Sequence, residues 1–344
     1  MKTKYEDLTY VELPAGSTAR GANLEDVPAA LDMFNRSSRI LTGRDEITDL
    51  KALVNDLQSP GFDIEQDTRV VFAPNGEMAG YIEAWTSVKP PVHPWIWFRV
   101  NTDYEDESVG AWLLDWADQR VLQALPEVPA DLRFAPRASV YREATKARKL
   151  LEERGYSHIR SSYHMLIEMD TPVPEPVFPD GITLRTYTPG VDAEAAFRAQ
   201  TDSFRDHFGH VEQPLEEGVK RFQHFWEDDG SDPSLMFLAM DVDQIAGINL
   251  CRPHAFDDAE VGWVGTLGVV RSWRKRGLGL ALLRHSFNEF YRRGKRKVGL
   301  GVDAENLTGA LRLYENAGMH VHQAFDMYEK ELRPGKEISV QSLA

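Results

Sequence analysis

The segment Leu267-Gly268-Val269-Val270-Arg271-Ser272-Trp273-Arg274-Lys275-Arg276-Gly277-Leu278-Gly279-Leu280 joins an apolar run to a basic turn and two glycines one residue apart, ahead of a helical pattern. That order suits an anion. The first amides of a helix lack intrahelical partners, the dipole makes that end positive, and glycine lets a phosphate approach the backbone closely. Arg274, Lys275 and Arg276 add charge, and arginine adds paired donors. The same spacing also fits a plain strand-to-helix turn whose basic residues are merely solvated. Two phosphate loops are excluded. Gly279 precedes Leu280-Ala281 where a Walker loop needs Lys-Ser/Thr, and Leu282 stands where a Rossmann turn needs its third glycine.

Other residues carry weaker chemistry. Tyr314 lies on the apolar face of a helical pattern, as a core aromatic would, yet its phenol also stays protonated at neutral pH. Asn306 is placed to cap a helix. In the Asp206-His207-Phe208-Gly209-His210 segment, histidine suits proton shuttling and the aromatic ring suits a pocket wall; exposed loop histidines are the alternative. Cys251 is the single cysteine, which excludes an intrachain disulfide and a cysteine zinc cage; its flanks fit a small buried hydrophobe better than a nucleophile.

These residues need elements to hold them. Leu280, Leu283, Phe287, Phe290 and Tyr291 recur at helical spacing, and Gly294 follows Arg292 and Arg293, whose charges suit a helix C-terminus. Val298, Leu300 and Val302 then alternate with Gly299 and Gly301, predicting a buried strand with one bare face. Leu307 to Ala317 resumes helical spacing, with Asn306 or Thr308 as its cap.

The chain repeats itself in outline. Val70–Phe72 with Met78–Tyr81, and Phe237–Ala239 with Ile245–Ile248, predict two hairpins turning near Asn75-Gly76 and between Asp241 and Gln244. Lys149–Tyr156 and Arg312–Met319 both read as a helix closed by glycine before a strand. The expected fold class is therefore a duplicated α/β (α+β) unit. The prolines from Pro172 to Pro179 mark the natural cut. It gives a first domain over 1–170, a linker over 171–181, a second domain over 182–334 and a tail over 335–344.

Arg274-x-x-Gly277-x-Gly279 after an apolar strand, then Asn306, then Leu313-Tyr314-Glu315-Asn316-Ala317-Gly318-Met319, resembles the GNAT superfamily of acetyl-CoA-dependent N-acetyltransferases across most of residues 182–332. The resemblance implies two tandem GNAT-like units, each a mixed, mostly antiparallel twisted sheet flanked by helices. It implies acetyl-CoA as co-substrate, no metal, and a small-molecule primary amine as acceptor. The main chain of Leu267 and Val269, flanking Gly268, would pair with the pantetheine arm. Amides from Arg274 through Lys275, Arg276, Gly277, Leu278 and Gly279 to Leu280 would hold the pyrophosphate. Asn306 would lie near the pantetheine, and Tyr314 would protonate the departing thiolate. The sequence departs from the family at the general base: Trp263 stands where relatives often carry glutamate. Glu260 is the nearest carboxylate, with His254, Asp257 and Asp258 in the preceding loop. Asp206, His207 and Trp263 are candidate acceptor-side residues. A coenzyme-binding sensor or scaffold without turnover is the alternative function.

In the first half, the counterpart of the glycine-bearing turn reads Asp103-Tyr104-Glu105-Asp106-Glu107-Ser108, and Leu151 stands where Tyr314 stands. Clustered carboxylates oppose a diphosphate, so this half is expected not to bind coenzyme or catalyse. The 344 residues are 42% hydrophobic with a formal net charge of -15, a balance that disfavours nucleic acid and anionic membrane surfaces. The start, Met1-Lys2-Thr3-Lys4-Tyr5-Glu6-Asp7, has no apolar segment of the secretory kind, and no long apolar run follows, so a cytoplasmic setting is expected. Oligomeric state is left open, a monomer being compatible.

Overall fold

The structure, a computed structural model, describes residues 11–105, 108–306 and 309–341. The expected Leu307 and Thr308, the carboxylates Asp106 and Glu107, and the first ten residues lie outside that range. Contacts divide the chain into two compact units, residues 1–160 with 325–338, and residues 161–324 with 339–344.

Unit 1 runs β1 (Thr18–Arg20), α1 (Val27–Thr42), α2 (Leu50–Leu57), α3 (Ile64–Asp67), β2 (Thr68–Phe72), β3 (Met78–Trp85), β4 (Trp95–Val100), α4 (Val109–Leu122), β5 (Arg137–Tyr141) and α5 (Thr145–Glu153). Next comes β6 (Ser157–Glu168). Unit 2 repeats the order: β7 (Ile182–Thr186), α6 (Ala193–Phe204), α7 (Leu215–Trp226), β8 (Met236–Asp241), β9 (Gln244–Arg252), β10 (Val261–Val269), α8 (Leu278–Arg292), β11 (Lys297–Asp303), α9 (Ala310–Asn316) and β12 (His320–Glu329). Both expected hairpins form, β2 with β3 and β8 with β9. Gly76 turns the first at φ 82°, whereas the second turns on Val242, a non-glycine at φ 52°.

Strand pairing divides the chain in another way than the proline cut. Residues 162–168 of β6 pair antiparallel with β11 in unit 2, and residues 325–329 of β12 pair antiparallel with β5 in unit 1. Each repeat thus gives its last strand to the other unit's sheet, so neither unit is a continuous stretch. The segment 171–181 is no free spacer: it carries the chain from β6 to β7 within unit 2, and Val173 and Phe178 pack on that unit's core. Residues 335–338 go with unit 1 and 339–341 with unit 2.

Within each unit the pairs β4–β5 and β10–β11 are parallel and the other ladders are antiparallel. In unit 2 one face of the sheet packs on α8 and α9 through Leu278, Leu282, Phe287, Phe290 and Tyr314. The other packs on α6 and α7 through Ala196, Ala199, Phe222 and Trp226. In unit 1, Met33, Phe34, Leu53 and Leu57 of α1 and α2 cover Val70 and Tyr81 of the sheet. Among the described residues no helix is long and apolar enough to cross a membrane.

Candidate active site

In unit 2 the two parallel strands part. β10 pairs with β11 only from Val261 to Val264, while its partnership with β9 continues to Val269 opposite Gly247. A register shift between Val264 and Thr266 bends β10 at Gly265, where an added Cβ would lie 2.7 Å from the Trp226 ring. Val270 N–H donates to Ala246 O on β9 at 3.0 Å. Because peptide groups alternate along a strand, the main-chain groups of Val269 and Leu267 face away from β9, toward the parting. Gly268 takes the packing of α6: an added Cβ would lie 2.9 Å from Ser203 Cβ and 3.2 Å from Phe204 Cε2.

Beyond β10 a short 3-10 turn, Arg271–Trp273, leads to Lys275 at φ 62° and Gly277 at φ 84°. A lysine held there costs roughly 1–2 kcal/mol, a strain of the kind that collects at functional sites. Gly277 is the N-cap of α8 and has no side chain with which to accept from the first-turn amides. The first-turn amides of α8 therefore keep their donor capacity at the positive end of a long helix. An added Cβ on Gly279 would come within 3.3 Å of Leu313 on α9, which fixes how closely α8 and α9 approach.

The basic residues divide their work. Arg274 spends its guanidinium inside the protein: Nη1 donates to Asp206 Oδ2 at 2.8 Å, Nη2 to Ser203 O at 2.8 Å, and Nε to Val269 O at 3.3 Å. Arg271 also pairs with Asp206, and its backbone N–H donates to Asp202 at 2.9 Å. The two guanidiniums hold the Asp206 carboxyl below the usual carboxylate range. Arg274 and Asp206 thus lock α6 to the loop, while Lys275 and Arg276 stay exposed, Arg276 stacking 4.4 Å over the Trp273 ring. No local sequence pattern marks Ser203, whose carbonyl receives the Arg274 donor.

Tyr314 is buried among the α8 and sheet residues, and burial pushes its phenol up to about 12. Asn306 Oδ1 accepts from Ala310 N at 3.2 Å, so it does cap α9. That helix starts at Ala310 because Gly309 precedes it at φ 79°. His207 sits in the α6–α7 loop with its ring 4.6 Å from Phe204, and Asp303 at the end of β11 acts on it electrostatically. Trp263 lies across Gly299, where a Cβ would be 2.9 Å from its ring, and its edge meets His164 at 5.0 Å. This is the use of the bare face expected for β11.

Glu260 is not brought to this site. It is exposed in the turn before β10, with its N–H on Asp258, and Leu267 is seven positions along, roughly 23 Å of extended strand. Cys251 is fully buried, burial raises its thiol, and Sγ donates to Asn249 Oδ1 at 3.4 Å, the environment of an inert core residue.

Unit 1 repeats the parting with different contents. β4 pairs with β5 only at Trp95 and Ile96. Arg99, at the position of Gly268, turns its Nη1 onto Phe98 O at 2.7 Å and pairs with Glu46. It occupies an edge group that unit 2 leaves open. Beside it lies a cavity of about 340 Å³ lined by Leu41, Val100, Ala111, Ala147 and Leu150, with Glu105 and Lys146 at 3.5 Å. Asp103 pairs with Arg36, and Leu151 is a fully buried core residue.

A mixed sheet that opens between its parallel strands, with a glycine-led helix N-terminus beside the opening, is the architecture of an acetyltransferase fold. Residues 194–319 match the acetyltransferase (GNAT) family. A GCN5-related N-acetyltransferase from Sphaerobacter thermophilus is 32% identical, with a TM-score of 0.78 over 96% of this chain and 100% of that one. The chain belongs to the GNAT family. It is also similar to the mycothiol acetyltransferase of Thermobispora bispora, 34% identical over 50% of this chain and 58% of that relative. That of Amycolatopsis mediterranei is 26% identical over 89% of this chain and 94% of the relative. The match with the Thermobispora protein spans a little over half of that relative's length.

Proposed function

We propose that the chain is an N-acetyltransferase that moves an acetyl group from acetyl-CoA to a primary amine of a small molecule, with unit 2 as the active unit. The observation that carries the reading is the edge of β10 left unpaired by β11 at Leu267 and at the Val269 N–H, beside the glycine-led start of α8. The donor set fits the coenzyme. The main-chain groups of Leu267 and the N–H of Val269 suit an amide-bearing arm, and amides from Lys275 to Leu280 suit a diphosphate. When bound, the coenzyme supplies an activated thioester. Tyr314, kept protonated by burial, holds the proton the departing sulfur needs. Arg274 and Asp206 keep α6 against Gly268 and so hold the opening's shape. Unit 1 contributes stability, since Arg99 covers its edge and acidic residues replace its phosphate loop. The lone buried thiol suits a reducing compartment, which supports a cytoplasmic setting.

The test is release of free thiol on incubation with acetyl-CoA and a panel of small amines. Relatives bearing the mycothiol acetyltransferase name make a mycothiol-type amine its first member. Turnover by the wild type and a fall of roughly 100-fold in kcat for Tyr314→Phe, at unchanged coenzyme affinity, is expected. Coenzyme binding without thiol release from any amine would favour a sensor instead.

A further inference from the structure

With Glu260 at the far end of β10, the acceptor's proton needs another destination. We propose that His207 is the proton acceptor of the acetyl transfer, taking a proton from the ammonium form of the acceptor at the parting of β10 and β11. The assignment rests on the acetyl-transfer reading of unit 2.

Its position carries the argument. Phe204 lies against Gly268 on one lip of the opening, and the His207 ring lies edge-on to Phe204. Asp303 ends β11 on the other lip and acts on the same imidazole, while its own Oδ1 accepts from Glu305 N at 3.0 Å. The His207 loop is held at three places. Asp206 is clamped between Arg271 and Arg274. Gly209 N donates to Val340 O at 2.8 Å, and Val340 N donates to His210 O at 3.1 Å. Residues 339–341 thus act as a strap that fixes the histidine loop from outside.

The charges around the ring are Arg274 and His210, which disfavour its protonation, and Asp303 and Asp206, which favour it. Burial outweighs them all and lowers its affinity for a proton below that of an exposed histidine, so the ring is neutral at pH 7. A neutral imidazole is what an acceptor of protons requires. The protons balance. Of the three on an alkylammonium nitrogen, one goes to His207 and from it to solvent before the next turnover, one leaves directly to solvent and one remains on the product amide. The sulfur takes its proton from Tyr314, which is refilled from solvent.

The experiment compares wild type, His207→Gln, His207→Ala and Val340→Pro. In the ligand-free protein, NMR titration of the histidines, with the His207 signal assigned by its loss in His207→Gln, should give a midpoint below 6.5. With acetyl-CoA and a turned-over amine, kcat/KM of the wild type should fall on acidification through that midpoint. His207→Gln should lose that limb and roughly 100-fold in rate, keep its coenzyme Kd, and imidazole should partly rescue His207→Ala. Val340→Pro, which removes one strap donor, should lower kcat with little change in coenzyme Kd. A wild-type rate and acidic limb in His207→Gln would overturn this assignment alone. A wild type that turns over no amine would overturn the acetyl-transfer reading and the assignment with it.

Discussion

Glu83 on β3 of unit 1 is 6% exposed and takes its hydrogen bonds from neutral donors, Tyr81 Oη at 3.0 Å and Trp85 Nε1 at 2.7 Å. Burial raises its carboxyl to about 7 against those bonds and the distant pull of Arg99. A folded value above the unfolded one means that stability is fully present below pH 4.5 and is lost as pH rises through 7. At pH 8 the loss is at most roughly 3 kcal/mol. Glu83→Gln should therefore melt higher than wild type at pH 8 and close to it at pH 4.5, as calorimetry at both pH values can read. Tyr314 is the opposite case: with its phenol near 12, it imposes no alkaline limb on the rate below about pH 11. At this scale the sequence revealed the types of group but not their partners. Arg274 looked like a phosphate ligand because its competitor Asp206 lies 68 positions away, too far for any local pattern to signal.

Among the elements, the helix starts are the sensitive points. Gly277 holds φ 84° with open space where a Cβ would go, so Gly277→Ala meets no clash and bears only the left-handed penalty, about 1 kcal/mol. The added methyl stands where a phosphate would approach, and the coenzyme Kd should rise roughly tenfold at nearly unchanged fold, as titration calorimetry would show. Most of these elements were legible. The spacing of Leu280, Leu283 and Phe287 predicts α8, and the glycine alternation predicts β11 to within a residue of Lys297–Asp303. The spacing predicts α9 from Leu307, whereas the helix starts at Ala310 because Gly309 takes a left-handed turn. The bend at Gly265 was also hidden, since a bulge depends on the register with β9 rather than on β10 itself.

On the scale of the molecule, the duplication was readable from paired hairpins and helix caps, but the ownership of the last strands was not. The prolines of 172–179 promise a break, yet they ride over unit 2 as part of it. Nothing in β6 or β12 says which β-neighbour each will choose, because both carry mixed apolar and polar residues that suit either sheet. The pairing of residues 325–329 with β5 has a consequence for biosynthesis. A ribosome finishes residues 1–160 of unit 1 long before it reaches Phe325, so the nascent sheet waits with one edge of β5 bare. Released at residue 320, such a polypeptide should exchange the amide hydrogens of Arg137–Tyr141 far faster than the full-length product and should precipitate more readily. Supplying the missing piece in trans, as a separately translated 171–344 fragment, should slow that exchange; if it does not, the two strands are not traded as described.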